Sequence, residues 1–171
     1  DFTSRETAIE AIGTALDKGY NSTTTAQAIK TTIEHESGSG LVEKTNYSKR
    51  RAIAVLGGND ADRIAEIEEL YGNRNTLTPE QQVELFNIVY GGRMGNAATE
   101  GYKYRGRGPI QITGKNNYRA VGRALGIGDA LVDNPDLLLE SPALMLAATD
   151  AYLTEVKGMN PDQALTANGL K

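Results

Sequence analysis

The chain contains no cysteine, no tryptophan and a single histidine, His35. Without cysteine there is no disulfide scaffold, thiolate metal site or cysteine nucleophile. One histidine excludes a two-histidine zinc centre and leaves Ser-His-Asp chemistry only His35 to use. Long apolar runs are also missing. The stretch Leu137 to Leu146 is interrupted by Glu140, Ser141 and Pro142, far short of the ~20 residues a spanning helix needs. Positive charge is in deficit, with 18 Lys and Arg against 22 Asp and Glu for a net charge of -4. No global field therefore gathers nucleic acid or an anionic membrane, and any polyanion contact must be local.

What remains is 171 residues, 39% hydrophobic and 23% charged. That composition suits one compact domain burying roughly 70% of its unfolded surface, and it rules out intrinsic disorder. Asp1 is followed by a polar, helix-capping segment rather than a basic and apolar leader, the pattern of a processed N-terminus or one cut from a longer chain.

Apolar spacing predicts a mainly α fold. Ile9, Ile12, Ala15 and Leu16 follow Thr3 and Glu6 in capping-box relation and precede Gly19; a second helix runs from about Thr24 through Ile29 and Ile33 to the turn Ser37 to Gly40. Ser48 caps a short helix carrying Ile53 and Val55, and Asn59 or Asp60 caps another carrying Ile64, Ile67 and Leu70, closed by Gly72. Thr78, Pro79 and Gln81 give the clearest start signal, with Leu85, Phe86 and Val89 as the buried stripe behind it. Later helices are expected at about Lys115 to Leu125 and from Ser141 and Pro142 through Met145, Ala148 and Tyr152. Between Gly91 and Gly114 the helical period gives way to Gly, Arg and Tyr, which predicts a long ordered loop with room for one or two short strands at Pro109 to Thr113. No internal repeat or linker divides the chain, so residues 1–171 read as a single domain.

Three motifs fail on inspection. Gly106, Arg107, Gly108 and Gln111 lack the last glycine of a dinucleotide fingerprint, Gly114 and Lys115 lack the rest of a phosphate loop, and Asn59, Asp60 and Asp62 lack the register of a calcium loop. Tyr102 to Arg107 interleave cations with aromatics. That mixture serves a nucleic-acid groove or a sugar polymer, and the acidic total charge favours the sugar. Two carboxylates flank the Gly-rich turn: Glu36 ends a helix three residues after Ile33, and Glu43 lies seven residues on, among Lys44, Asn46 and Lys49. Glycosidic hydrolysis asks for such a pair, an acid kept protonated by an apolar setting and an ionised base that activates water. Glu36 suits the acid and Glu43 the base, with Glu34 as a competitor. His35 orients the acid at most.

Taken together, these segments resemble glycoside hydrolase family 19, which holds plant-type chitinases and related phage endolysins. IEHESGSG at Ile33 to Gly40 looks like the family's acid helix, and VEKTNYS at Val42 to Ser48 is similar to a segment of its phage members. IVYGGRMGN at Ile88 to Asn96 and GYKYRGRGPIQITGKNNY at Gly101 to Tyr118 resemble its signature stretches, and Val121 to Leu139 resembles the helix and Asn-Pro-Asp turn that follow. The likeness covers roughly residues 25–155. It implies a lysozyme-like α domain with a substrate cleft and a small β element or ordered loop near residues 101–114. It also implies an inverting displacement on β-1,4-linked N-acetylglucosamine polymers, with carboxyl groups about 6.5 to 9.5 Å apart.

Residue by residue, Glu36 matches the general acid, Glu43 the base and Thr113 the residue that holds the attacking water. Gln111 and Asn117 match residues that bind the sugar chain; Tyr104, Arg105 and Arg107 match the loop that shapes the cleft, with His35 beside the acid. The expected partner is the peptidoglycan strand, cut between N-acetylmuramic acid and N-acetylglucosamine by a monomer acting at the bacterial wall. No cofactor, metal, nucleic acid or membrane insertion is expected, and delivery would be by a phage lysis system, a virion or a secretion apparatus. Lack of cysteine leans toward phage relatives over disulfide-bonded plant chitinases. The runner-up readings are a chitinase, a silent glycan-binding or virion module, and a nucleic-acid binder working through Tyr102 to Arg107. Two departures stand out: Ala151, Tyr152 and Leu153 replace an aromatic-rich helix end, and the family's Asn-Gly-Gly and Arg segment is not evident beyond Thr166, Ala167, Asn168 and Gly169.

Overall fold

The computed structural model describes residues 42–108, 110–140 and 142–158. The two helices expected before residue 42 lie outside the described residues, as does the segment after Lys157 and Gly158. The described chain is mainly helical, and of the described residues those in 42–43 and 106–158 form one compact unit while residues 44–105 form another.

The unit of residues 44–105 is built on three helices whose starts follow from local chemistry. Helix α1, Lys49–Leu56, begins where the Ser48 side chain accepts from Arg51 N. Helix α2, Ala61–Tyr71, is capped by Asp60, which accepts from Arg63 N, and closed by Gly72. Helix α3, Pro79–Tyr90, carries the full capping box: Thr78 Oγ1 accepts from Gln81 N, and Gln81 Oε1 accepts from Thr78 N. Each such cap is worth about 1 kcal/mol, because it satisfies backbone donors that the helix leaves unpaired.

The helices bury Ala52, Leu56, Ile67, Tyr71, Leu85, Phe86 and Val89 in one core. This corrects one expectation. Val55 is 47% exposed, and α1 instead presents Ala52 and Leu56. Those two positions are four apart and stack on one face, whereas Val55 is rotated away from them. Tyr71 donates its hydroxyl to the Tyr47 carbonyl at 2.6 Å, and Thr45 donates to Gln82 Oε1 at 2.8 Å; both bonds tie the entering chain to the bundle.

In the other unit, helix α4, Lys115–Ala124, packs against short helix α5, Ala130–Asp133, and against α7, Pro142–Ala151. Short helix α6, Leu137–Glu140, also packs on α7. Every residue from Leu144 to Ala151 is buried, the mark of a helix enclosed on all sides. Thr149, buried within it, donates to the Met145 carbonyl. The helix widens into a π turn, Tyr152–Val156, closed by Lys157 N donating to Tyr152 O at 2.9 Å. Where the family's aromatic wall would stand, Ala151 and Leu153 are buried and Tyr152 is half-buried.

The strands expected at Pro109 to Thr113 do not form among the described residues. Arg107 instead makes two isolated antiparallel bridges, to Val42 and to Ile112. Gly106, Gly108 and Gly114 crowd this stretch, and glycine weakens a strand by offering no side chain to pack.

Candidate active site

The two bridges bring together residues that lie far apart in sequence. Arg107 N donates to Ile112 O at 3.1 Å and Ile112 N returns to Arg107 O at 2.9 Å, pairing the two residues in an antiparallel bridge. Gly108 sits at φ +89, and a methyl group there would meet Met145 Sδ at 2.8 Å. Gln111, the last loop residue, also has positive φ, at 54°. A non-glycine residue in this region is uncommon, and such strain concentrates at functional sites.

Glu43 joins this bridge from the other side. Its backbone N donates to Gly106 O at 2.9 Å, and its carboxylate Oε2 accepts from Gly106 N at 3.0 Å. The side chain is half-buried rather than free in an open loop, while its neighbour Lys44 is exposed. A methyl group on Gly106 would stand 2.5 Å from Gln111 Oε1 and 3.1 Å from Thr113 Oγ1. Glycine is thus required for these three side chains to converge.

Hydrogen bonds fix the far side of the cluster. Thr113 Oγ1 donates to Gln111 O at 3.0 Å, Gln111 Nε2 donates to Gly108 O at 2.9 Å, and Asn117 Nδ2, from the first turn of α4, donates to Thr113 O at 2.8 Å. With its proton directed at a carbonyl, the Thr113 hydroxyl presents lone pairs that can accept from a water.

Arg107 lies beneath, only 2% exposed. Its Nε and Nη2 both donate to Asp136 Oδ1 at 3.0 Å, and Nη1 donates to the buried Tyr118 hydroxyl at 2.9 Å. Asp136 precedes α6 and is a site residue that sequence reasoning missed. The only signal for it was its place in the Asn-Pro-Asp turn. Tyr104 is also buried, at 1% exposure, with the Lys103 ammonium 5.2 Å from its ring centroid. The Arg105 guanidinium stacks 4.0 Å over the Tyr102 ring and donates to the Tyr102 carbonyl. Tyr104 and Arg107 are thus buried, whereas Gln111 is exposed and Thr113 and Asn117 are half-buried. Glu36 and His35 lie outside the described residues.

Residues 90–162 match the profile of glycoside hydrolase family 19, described as chitinase class I. Over these residues the chain is similar to glycoside hydrolase family 19. Among relatives, a family 19 domain-containing protein of Haemophilus influenzae is 51% identical over 98 residues, 54% of this chain and 44% of that protein. An acidic 26 kDa endochitinase of Solanum lycopersicum is 33% identical over 87 residues, covering 51% of this chain and 34% of its own length. Chitinase 8 of Oryza sativa subsp. japonica is 63% identical over 58 residues, 34% of this chain and 22% of that enzyme. The chain thus spans less than half the length of these relatives. The family 19 match takes in Gln111, Thr113, Asn117, Arg107 and Asp136, while Glu43 and Glu36 precede it.

Proposed function

We propose that this chain is a glycoside hydrolase that cuts β-1,4 bonds of the peptidoglycan strand, between N-acetylmuramic acid and N-acetylglucosamine, by an inverting displacement at the bacterial wall. The observation that carries the reading is the convergence of Glu43, Thr113 and Gln111 on Gly106. In this reading a water donates one hydrogen to the Glu43 carboxylate and the other to Thr113 Oγ1. Its oxygen bonds to the anomeric carbon as Glu43 takes the first proton. Glu36 gives its proton to the departing glycosidic oxygen, so the bond breaks as a neutral hydroxyl leaves. Gln111 and Asn117 supply amides for acetamido and hydroxyl groups. The chemistry is complete with carboxylates and water, without a cofactor.

The likeness to plant chitinases favours a second reading, hydrolysis of unsubstituted chitin by the same residues. Mass spectrometry of fragments from purified peptidoglycan and from chitin oligomers separates the two. Reducing-end muramic acid, absent from Glu36→Gln digests, is the expected result. Release from chitin alone favours the chitinase, an anhydro end replaces hydrolysis with transglycosylation, and silence on both substrates sinks both readings. For Glu43→Gln the expected loss in rate exceeds about tenfold; a smaller loss moves the base to another group.

A further inference from the structure

We infer that Asp136 is a positioning residue for Glu43 and Thr113, acting through the buried Arg107. The kinetic part of this inference rests on the proposed roles of those two residues; the geometric part does not.

Arg107 holds both halves of the site. Its backbone bridges Val42, next to Glu43, and Ile112, next to Thr113. The residue before it, Gly106, makes both hydrogen bonds to Glu43. Whatever fixes the Arg107 backbone therefore fixes the spacing between the carboxylate and the hydroxyl. The Arg107 side chain is anchored by three donor groups, two on Asp136 and one on Tyr118. A guanidinium has five donors in a rigid fork, so engaging it on two edges determines the orientation of its plane.

The partners differ in burial. The Asp136 side chain is 58% exposed, whereas that of Arg107 is 2% exposed. A buried cation is stable only while its partner remains, because the charge has been removed from water. Asp136 thus controls an interior group from the surface. It touches no part of the proposed reaction, so its loss acts through geometry. A displacement of about 1 Å at reacting groups can cost roughly 100-fold in rate.

The test uses Asp136→Asn, which keeps shape and removes charge, with Asp136→Glu as the conservative rescue. The Gly106 amide is the reporter: its N–H donates to Glu43 Oε2 at 3.0 Å, so its hydrogen-exchange protection, read by NMR, reports whether that bond is held. The expected result is a folded Asp136→Asn protein in which Gly106 exchanges roughly tenfold faster or more, while the amides of the three-helix core keep their protection. Its kcat on glycan should fall roughly 10- to 100-fold with KM within about twofold, and Asp136→Glu should recover both. Should Asp136→Asn fail to fold, Tyr118→Phe removes the third anchor alone and should weaken the same protection. Unchanged Gly106 protection in either folded variant overturns the inference. A wild type inactive on every glycan would sink the proposed function, while the exchange of Gly106 would still decide the role of Asp136.

Discussion

A methyl group on Gly106 would meet two side chains that can yield to different degrees. Gln111 Oε1, at 2.5 Å, ends a flexible chain and can swing away, whereas Thr113 Oγ1, at 3.1 Å, is carried on a short β-branched stem. Gly106→Ala should therefore leave thermal stability within about 1 kcal/mol of wild type, since the clash is relieved by one surface amide. The KM for glycan oligomers should rise up to about tenfold, the worth of one hydrogen bond. Melting curves and steady-state kinetics check the pair, and an unchanged KM would remove Gln111 from the binding role. Residue types at this scale were legible in sequence, because Glu43, Gln111, Thr113 and Asn117 fall in ordered motifs. The convergence on Gly106 was not, since it depends on Glu43 meeting a residue 63 positions away. The Arg107 to Asp136 pair, 29 residues apart, likewise has no local periodicity to announce it.

The helices show where element-scale reading succeeds. Ser48, Asp60 and Thr78 all cap as expected, because capping is decided within four residues of chain. Helices α5 and α6 span four residues each, too few for an apolar period to register.

Tyr71 links this scale to pH. Burial at the end of α2 raises its phenol pKa above the ordinary 10.0. The unfolded phenol loses its proton near pH 10 and the folded one only at higher pH. The associated stability is therefore fully present below pH 10 and lost as pH rises through the folded value. Tyr71→Phe should cost about 1 kcal/mol at neutral pH by removing the hydroxyl that Tyr47 O accepts. Urea unfolding of both proteins from pH 7 to pH 11 should show the gap narrowing above pH 10. A constant gap would mean the phenol never titrates differently between the two states.

Over the whole molecule, the chain leaves one compact unit at Glu43, completes another over residues 44–105, and returns at Gly106. Exit and return are hydrogen-bonded to each other, Glu43 N to Gly106 O at 2.9 Å. The first unit therefore closes across this pair whether few or many residues lie between, and loop-closure cost rises only slowly with inserted length. Composition does not mark the boundary, because the glycines near both junctions, at Ser37 to Gly40 and at Gly106 and Gly108, also read as ordinary turn residues. The same pair that closes the unit also sets the Glu43 carboxylate against Gly106, so the topology and the candidate chemistry share one contact. The inserted unit has a contiguous sequence, its own core and capped helices throughout. The fragment Lys44 to Arg105 should fold alone, though with little margin, since a domain of roughly 60 residues buries only about 60% of its unfolded surface. Circular dichroism should show helix and a cooperative melt at a lower temperature than the full chain. Leu85→Ala in the same fragment should abolish that melt, because losing a buried leucine costs about 2 to 5 kcal/mol. A fragment that is helical without a cooperative transition would mean that the core between α1, α2 and α3 holds its packing only within the intact chain.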